Sequence, residues 1–177
     1  MRNIFLAGLL LSCSTPVSTD LFYMPDMEQC SSTFVKAEVL SRASSFKVVT
    51  LNENGVGHGS GAYVKYAGKY YILTAHHVVQ DAQSIMVLDD SGAYNASILA
   101  ANADEDLAIL VLTQDISKQS IQLRSIRHVK PDIFDEIVYT GFPNLTGPLT
   151  IRGIISGRAE DGSLILQSYA WMGASRS

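Results

Sequence analysis

Three short segments of this chain hold, in order, the residue types of nucleophilic acyl transfer. The first is Thr74-Ala75-His76-His77-Val78, the second Asp104-Glu105-Asp106-Leu107-Ala108, the third Gly173-Ala174-Ser175. A serine hydroxyl is a weak nucleophile until an imidazole takes its proton as attack occurs, and a carboxylate must hold that ring in one tautomer and stabilise the imidazolium. His77, Asp106 and Ser175 are the candidates for base, orienting acid and nucleophile. His76 is the rival base, on the expectation that neighbouring side chains on a strand point to opposite sides. Asp104 and Glu105 are alternatives to Asp106, which is preferred because it directly precedes an apolar run and so sits at the edge of a core. His58 and His128 read as surface residues. No cofactor is implied, and no metal: the histidines lack the converging cysteines or spaced carboxylates that a metal centre needs.

Elements rich in β-formers must position these groups. Short runs at 34–40, 46–51, 61–66, 70–74, 84–88, 93–100 and 107–112 alternate with turn pairs Asn54-Gly55, Gly68-Lys69 and Ser91-Gly92. Leu107-Ala108-Ile109-Leu110-Val111-Leu112 is apolar on both faces, which predicts a fully buried strand. A second group follows at 121–126, 136–142, 149–157 and 164–169, with Asp161-Gly162 turning the last pair. No long amphipathic helix is expected from residue 34 onward. Many short strands at this spacing predict an all-β barrel or sandwich architecture, with the boundary between two halves in 117–127.

The order His, Asp, Ser is that of chymotrypsin, and the flanking residues sharpen the likeness. Thr74-Ala75-His76-His77 resembles the Thr-Ala-Ala-His motif of trypsin-like serine proteases, most closely the bacterial HtrA-type enzymes, with His77 at the family's histidine. Gly57-His58-Gly59-Ser60-Gly61 is similar to the family's Gly-Ser-Gly lead into the preceding strand. Asp106-Leu107-Ala108-Ile109-Leu110 resembles the segment carrying the triad aspartate. Val138 to Pro143 and Thr150 to Gly157 look like the Gly-x-Pro and Gly-x-Ile-Ser-Gly segments of the second barrel. The resemblance implies two antiparallel β-barrels, the first over 34–116 and the second over 117–177. It also implies a serine endopeptidase acting through an acyl-enzyme, with Ser175 as nucleophile and the backbone N–H groups of Gly173 and Ser175 as the oxyanion hole. Arg176 and Ser177 stand where the family has two glycines, and the second half supplies fewer strands than the first. An incomplete second barrel is expected, in a chain truncated just after its nucleophile motif. Tyr169, Trp171 and Met172 fall near the family's specificity pocket and approach to the nucleophile.

The start of the chain reads as an address. Residues 1–12 carry Arg2 and then an uncharged apolar run, too short for a membrane span, as in a signal peptide. Leu10-Leu11-Ser12-Cys13 resembles the bacterial lipobox, which implies cleavage before Cys13 and lipid attachment to its thiol. Residues 13–33, with Ser, Thr, Asp and two Pro, are expected to be a tether, and Cys30 an incidental thiol. Asn95 and Asn144 match glycosylation acceptors, which a bacterial lipobox makes irrelevant. The expected location is the bacterial cell envelope, or a secreted or periplasmic state.

Composition excludes other classes. In 177 residues, 47% are hydrophobic and 17% charged, with a net charge of −4 and two Cys. That is too apolar for a disordered chain, too acidic for a nucleic-acid binder and too poor in cysteine for a disulfide scaffold. The partners expected are a protein or peptide substrate, no nucleic acid, and a membrane only through the lipid on Cys13; no oligomeric state is implied. The alternative is a catalytically dead, membrane-tethered binding module of the same shape. A third outcome is a chain whose incomplete second half prevents stable folding.

Overall fold

In the computed structural model the chain divides into two compact units, Met1–Ala37 and Glu38–Ser177. The structure describes residues 27–53, 55–125, 130–143 and 147–168, with side chains from residue 34. A helix, α1 (Met27–Ala43), replaces the strand expected at 34–40 and begins inside the expected tether. Phe34, Val35 and Val39 carry β propensity, but no Gly or Pro interrupts the helix and Ala37-Glu38 and Leu40-Ser41-Arg42-Ala43 favour it. Two serines finish α1. Ser44 Oγ donates to Leu40 O at 2.7 Å and Ser45 Oγ to Arg42 O at 2.9 Å, satisfying carbonyls that the last turn leaves without partners. Within the larger unit, the end of α1 meets the second sheet: Glu38 pairs with Arg152, and Ser41 Oγ lies 2.9 Å from Thr140 Oγ1.

Among the described residues ten strands follow, interrupted by one helical turn. They are β1 (Ser45–Asn52), β2 (Gly55–Tyr66), β3 (Lys69–Thr74), α2 (His76–Val79), β4 (Ser84–Asp89), β5 (Gly92–Asn102), β6 (Leu107–Leu112), β7 (Ile121–Gln122), β8 (Glu136–Gly141), β9 (Leu149–Arg158) and β10 (Leu164–Gln167). Strands β1, β4, β5, β6, β3 and β2 pair in that order, and β1 also pairs with β2, which closes a six-stranded antiparallel barrel. Strands β10, β9 and β8 form a separate three-stranded antiparallel sheet, the partial second half. Among the described residues the architecture is therefore all-β with a closed barrel and a partial second sheet, as the sequence predicts.

Alternation builds the core. Phe46 and Val48 from β1, Ile72 from β3, Ile85 and Val87 from β4, and Ala108 and Leu110 from β6 point inward and are buried, with Tyr63 and Val79 completing the cluster. A barrel strand has only one inward face. For that reason β6 is not buried on both sides as expected: Ala108 and Leu110 are buried, whereas Leu107 is 43% exposed. Gly61 faces the same interior where there is no room for a side chain; a Cβ there would lie 2.7 Å from Ile72 Cγ2. The turn between β2 and β3 is Ala67-Gly68, both at positive φ (48° and 80°), one residue earlier than the expected Gly68-Lys69 pair.

One expected strand changes allegiance. Of the expected run at 121–126, the described residues 121–125 form a strand only at Ile121–Gln122, which pairs in parallel with β2 of the barrel rather than opening the second sheet. Just upstream, Lys118 Nζ reaches Asp89 Oδ2 at 2.7 Å and lies 4.5 Å from the centre of the Phe46 ring. The connection from barrel to second sheet is thus held along the barrel before it departs.

Candidate active site

The candidate base and acid are brought together by strand register. Thr74 at the end of β3 pairs with Ala108 near the start of β6. Running two residues further in each direction places His76 opposite Asp106, and His76 N donates to Asp106 O at 3.1 Å. His76 and His77 lie on the helical turn α2, not on a strand, so the expectation that they point oppositely from a pleated backbone does not apply. The turn forms because β3 ends at the barrel rim and Val79 must return to the core, where it is 1% exposed.

A helix start needs acceptors for its first N–H groups, and Ala75 at the cap position has no side-chain oxygen to offer. Asp106 supplies them from across the sheet. Its carbonyl takes the His76 N–H, and its Oδ1 takes the His77 N–H at 2.9 Å. Its other oxygen, Oδ2, lies 2.7 Å from His77 Nδ1. One residue therefore fixes the helical turn and the imidazole it carries. Asp106 has φ 46°, a left-handed conformation that Asp tolerates better than most residues, reached by a tight turn in which its N–H donates to Ala103 O at 3.2 Å. Asp104 and Glu105, the alternatives, instead donate their N–H groups to Asn102 Oδ1 within the turn.

Hydrogen bonding sets the electrostatics. The bond from the His77 backbone N–H is the largest influence and the bond to its ring the next, and together they hold the Asp106 carboxyl below its ordinary 3.8. With Nδ1 engaged by the carboxylate, Nε2 is the ring nitrogen left to exchange protons with a substrate or nucleophile. The imidazole is 54% exposed, so it is open to an incoming group. Such an arrangement can do general acid–base chemistry.

Ser175, Gly173, Tyr169, Trp171, Met172, His128, Asn144 and Cys13 lie outside the described residues. His58 is half-buried on β2, paired with Val49 of β1. Among the described residues no group of three His, Cys, Asp or Glu side chains is placed to hold a metal ion, and no helix is long and apolar enough to cross a membrane.

Sequence reasoning did not single out two hydroxyl-bearing residues behind the histidine. Thr74 Oγ1 donates to Ser60 O at 2.8 Å, and Ser60 Oγ accepts the Phe142 N–H at 2.9 Å. Their partners lie 14 and 82 residues away, beyond the reach of any local pattern; the flanking Gly59 and Gly61 mark only that the backbone is crowded here.

A closed six-stranded barrel bearing a His–Asp pair at its rim, followed by a second antiparallel sheet, defines the chymotrypsin-like class of β proteins. The chain belongs to the trypsin-like peptidase domain family, whose model matches residues 59–177. It is 31% identical over 105 residues to the serine endoprotease DegS of Salmonella typhimurium, covering 59% of this chain and 28% of that protein. It is 30% identical over 111 residues to a probable periplasmic serine endoprotease, DegP-like, of Brucella suis, covering 62% and 21%. Among solved structures, the serine endoprotease from Yersinia pestis superposes with a TM-score of 0.64 at 24% identity, covering 85% of this chain and 48% of that one. The match thus spans under a third of these curated relatives and about half of the solved structure. The likeness to the latter is one of fold.

Proposed function

We propose that this chain is the core of an HtrA-type serine endopeptidase that hydrolyses peptide bonds of protein substrates through an acyl-enzyme. Ser175 attacks the scissile carbonyl while His77 Nε2 takes its proton, and the backbone N–H groups of Gly173 and Ser175 hold the developing oxyanion. The C–N bond breaks as His77 returns that proton to the leaving amine. Water then adds to the acyl ester with His77 as base, releasing the acid and regenerating the serine. Asp106 keeps the Nδ1–H tautomer and stabilises the imidazolium throughout.

The observation that carries this reading is the 2.7 Å contact between His77 Nδ1 and the carboxylate of Asp106, a residue held by two further bonds, one to its other carboxylate oxygen and one to its main-chain carbonyl. A binding module that had lost catalysis would have no need of a half-exposed imidazole held at Nδ1 by a carboxylate. The relatives named as serine endoproteases add support. The periplasmic description of the DegP-like relative favours export of this chain, with the lipid on Cys13 as its anchor.

The test is hydrolysis of a quenched fluorescent unfolded protein by the mature chain, by Ser175→Ala and by His77→Ala. Each variant should lose about 10⁴- to 10⁶-fold in rate. Equal hydrolysis by all three would refute the triad. For the anchor, metabolic labelling with a fatty-acid analogue should mark the wild type and not Cys13→Ser; equal labelling of both would refute it.

A further inference from the structure

We infer that Ser60 is a positioning residue that ties the wall carrying the base to the sheet from which the nucleophile segment continues, an inference that rests on the proposed triad. Two contacts made by one residue carry it. On the barrel side, the Ser60 carbonyl accepts the Thr74 hydroxyl at 2.8 Å. Thr74 is buried, ends β3 two residues before His76, and pairs with Ala108, two residues after Asp106. It is therefore the last strand residue common to both halves of the His–Asp pair. On the other side, Ser60 Oγ accepts the backbone N–H of Phe142 at 2.9 Å. Phe142 is buried just past the end of β8, the strand that pairs along its length with β9, which in turn pairs with β10. In the sequence, Ser175 follows the last residue of β10, Gln167, within the next ten positions.

The chemistry suits positioning rather than general cohesion. A backbone N–H that is buried must find an acceptor, and here the acceptor is a short side chain without slack, between two immediate glycine neighbours that let strands approach closely. Gly59 and Gly61 are both so crowded that a Cβ would come within 2.7 Å of Val78 or Ile72 side-chain atoms. Ser60 is consequently fixed along β2, and its hydroxyl fixes where β8 ends relative to Thr74. A triad drawn from two sheets works only when their spacing is held to a fraction of an ångström.

Two substitutions cut the two arms separately: Ser60→Ala removes the acceptor for Phe142, and Thr74→Val removes the hydroxyl bonded to Ser60. The assay is the labelling kinetics of the full mature chain with a fluorophosphonate, resolved into probe affinity and maximal inactivation rate constant. The rate constant does not depend on how much protein is folded, so a loss of folded material alone cannot move it. Each single variant should lower that constant by about tenfold, within the ~10²-fold that a 1 Å misplacement of reacting groups can cost, with probe affinity unchanged. The double variant should also fall about tenfold, because both changes interrupt one path. Single variants that label at the wild-type rate, or a double variant whose loss is the product of the two, would overturn the inference. Ser175→Ala separates this from the parent reading: if it labels like the wild type, the triad itself has failed. Independently of activity, amide exchange in Ser60→Ala should accelerate at both Phe142 and His77. Acceleration at Phe142 alone would show that the link does not reach the His–Asp pair, and would overturn it.

Discussion

Replacing Asp106 by Asn tests the chemical logic of the His–Asp pair with almost no change of shape. The carboxylate has two oxygens, and both are used as acceptors: Oδ1 for the His77 backbone N–H at 2.9 Å and Oδ2 for His77 Nδ1 at 2.7 Å. An amide offers one oxygen and one NH₂. The backbone N–H can only donate, so the amide oxygen must turn to it, which leaves the NH₂ facing Nδ1. Nδ1 then has to accept, the ring proton moves to Nε2, and the nitrogen that should act as base is blocked. The expected loss is about 10⁴-fold in the acylation rate, the size of effect that a wrong tautomer produces in a Ser-His-Asp triad. Fluorophosphonate labelling measures it, and imidazole ¹⁵N spectra read the tautomer directly: Nδ1–H in the wild type, Nε2–H in Asp106→Asn. The α2 turn should persist in the variant, since His76 N keeps the same main-chain carbonyl as its acceptor and His77 N gains the amide oxygen. Labelling within tenfold of the wild type, or an unchanged tautomer, would refute the reasoning.

Other perturbations have defined outcomes. Because the folded structure lowers the Asp106 pKa below 3.8, its contribution to stability is present above that value and disappears as pH falls through the lower, folded one. Thermal midpoints measured from pH 6 down to 2 should therefore drop less steeply below pH 4 in Asp106→Asn than in the wild type. Asp89 is 8% exposed at its side chain, holds Lys118 at 2.7 Å, and accepts the N–H groups of Ser91 and Gly92 in its turn. Asp89→Ala should cost about 3 kcal/mol in urea unfolding because it strands a largely buried ammonium, whereas Lys118→Met, which still covers the Phe46 ring, should cost clearly less. Gly61→Ala pushes a methyl against Ile72 and Val48 at 2.7 and 3.0 Å and should destabilise by about 1–3 kcal/mol in the same assay.

The barrel was legible because its strands alternate. Phe46/Val48, Ile85/Val87 and Ala108/Leu110 each repeat at period two, and Gly68 and Gly92 mark turns with positive φ. The His77–Asp106 meeting was legible only through motif, since 29 residues separate them and register, not local pattern, joins them. Helix α1 escaped because its apolar residues form no single stripe and its β-branched members mimic a strand. What fixes the helix is a serine-capped end and a tertiary pair, Glu38 with Arg152, 114 residues away. The half-covered outer face of β6 has a related reason: an apolar run is the same for a strand buried on both faces and for a barrel strand with one inward face. β7 joined the barrel because Gln122 and Leu123 both donate to the Lys65 carbonyl of β2, contacts that composition does not announce. The two bonds at Ser60, one through its carbonyl and one through its hydroxyl, left no pattern beyond two flanking glycines.

The most direct test of the central claim is to treat the mature chain with a fluorophosphonate and map the adduct by peptide mass spectrometry. The account predicts one adduct, on Ser175, formed in the wild type and absent when His77 is replaced by Ala. An adduct on another residue, or labelling of Ser175 that survives His77→Ala at the wild-type rate, would contradict it.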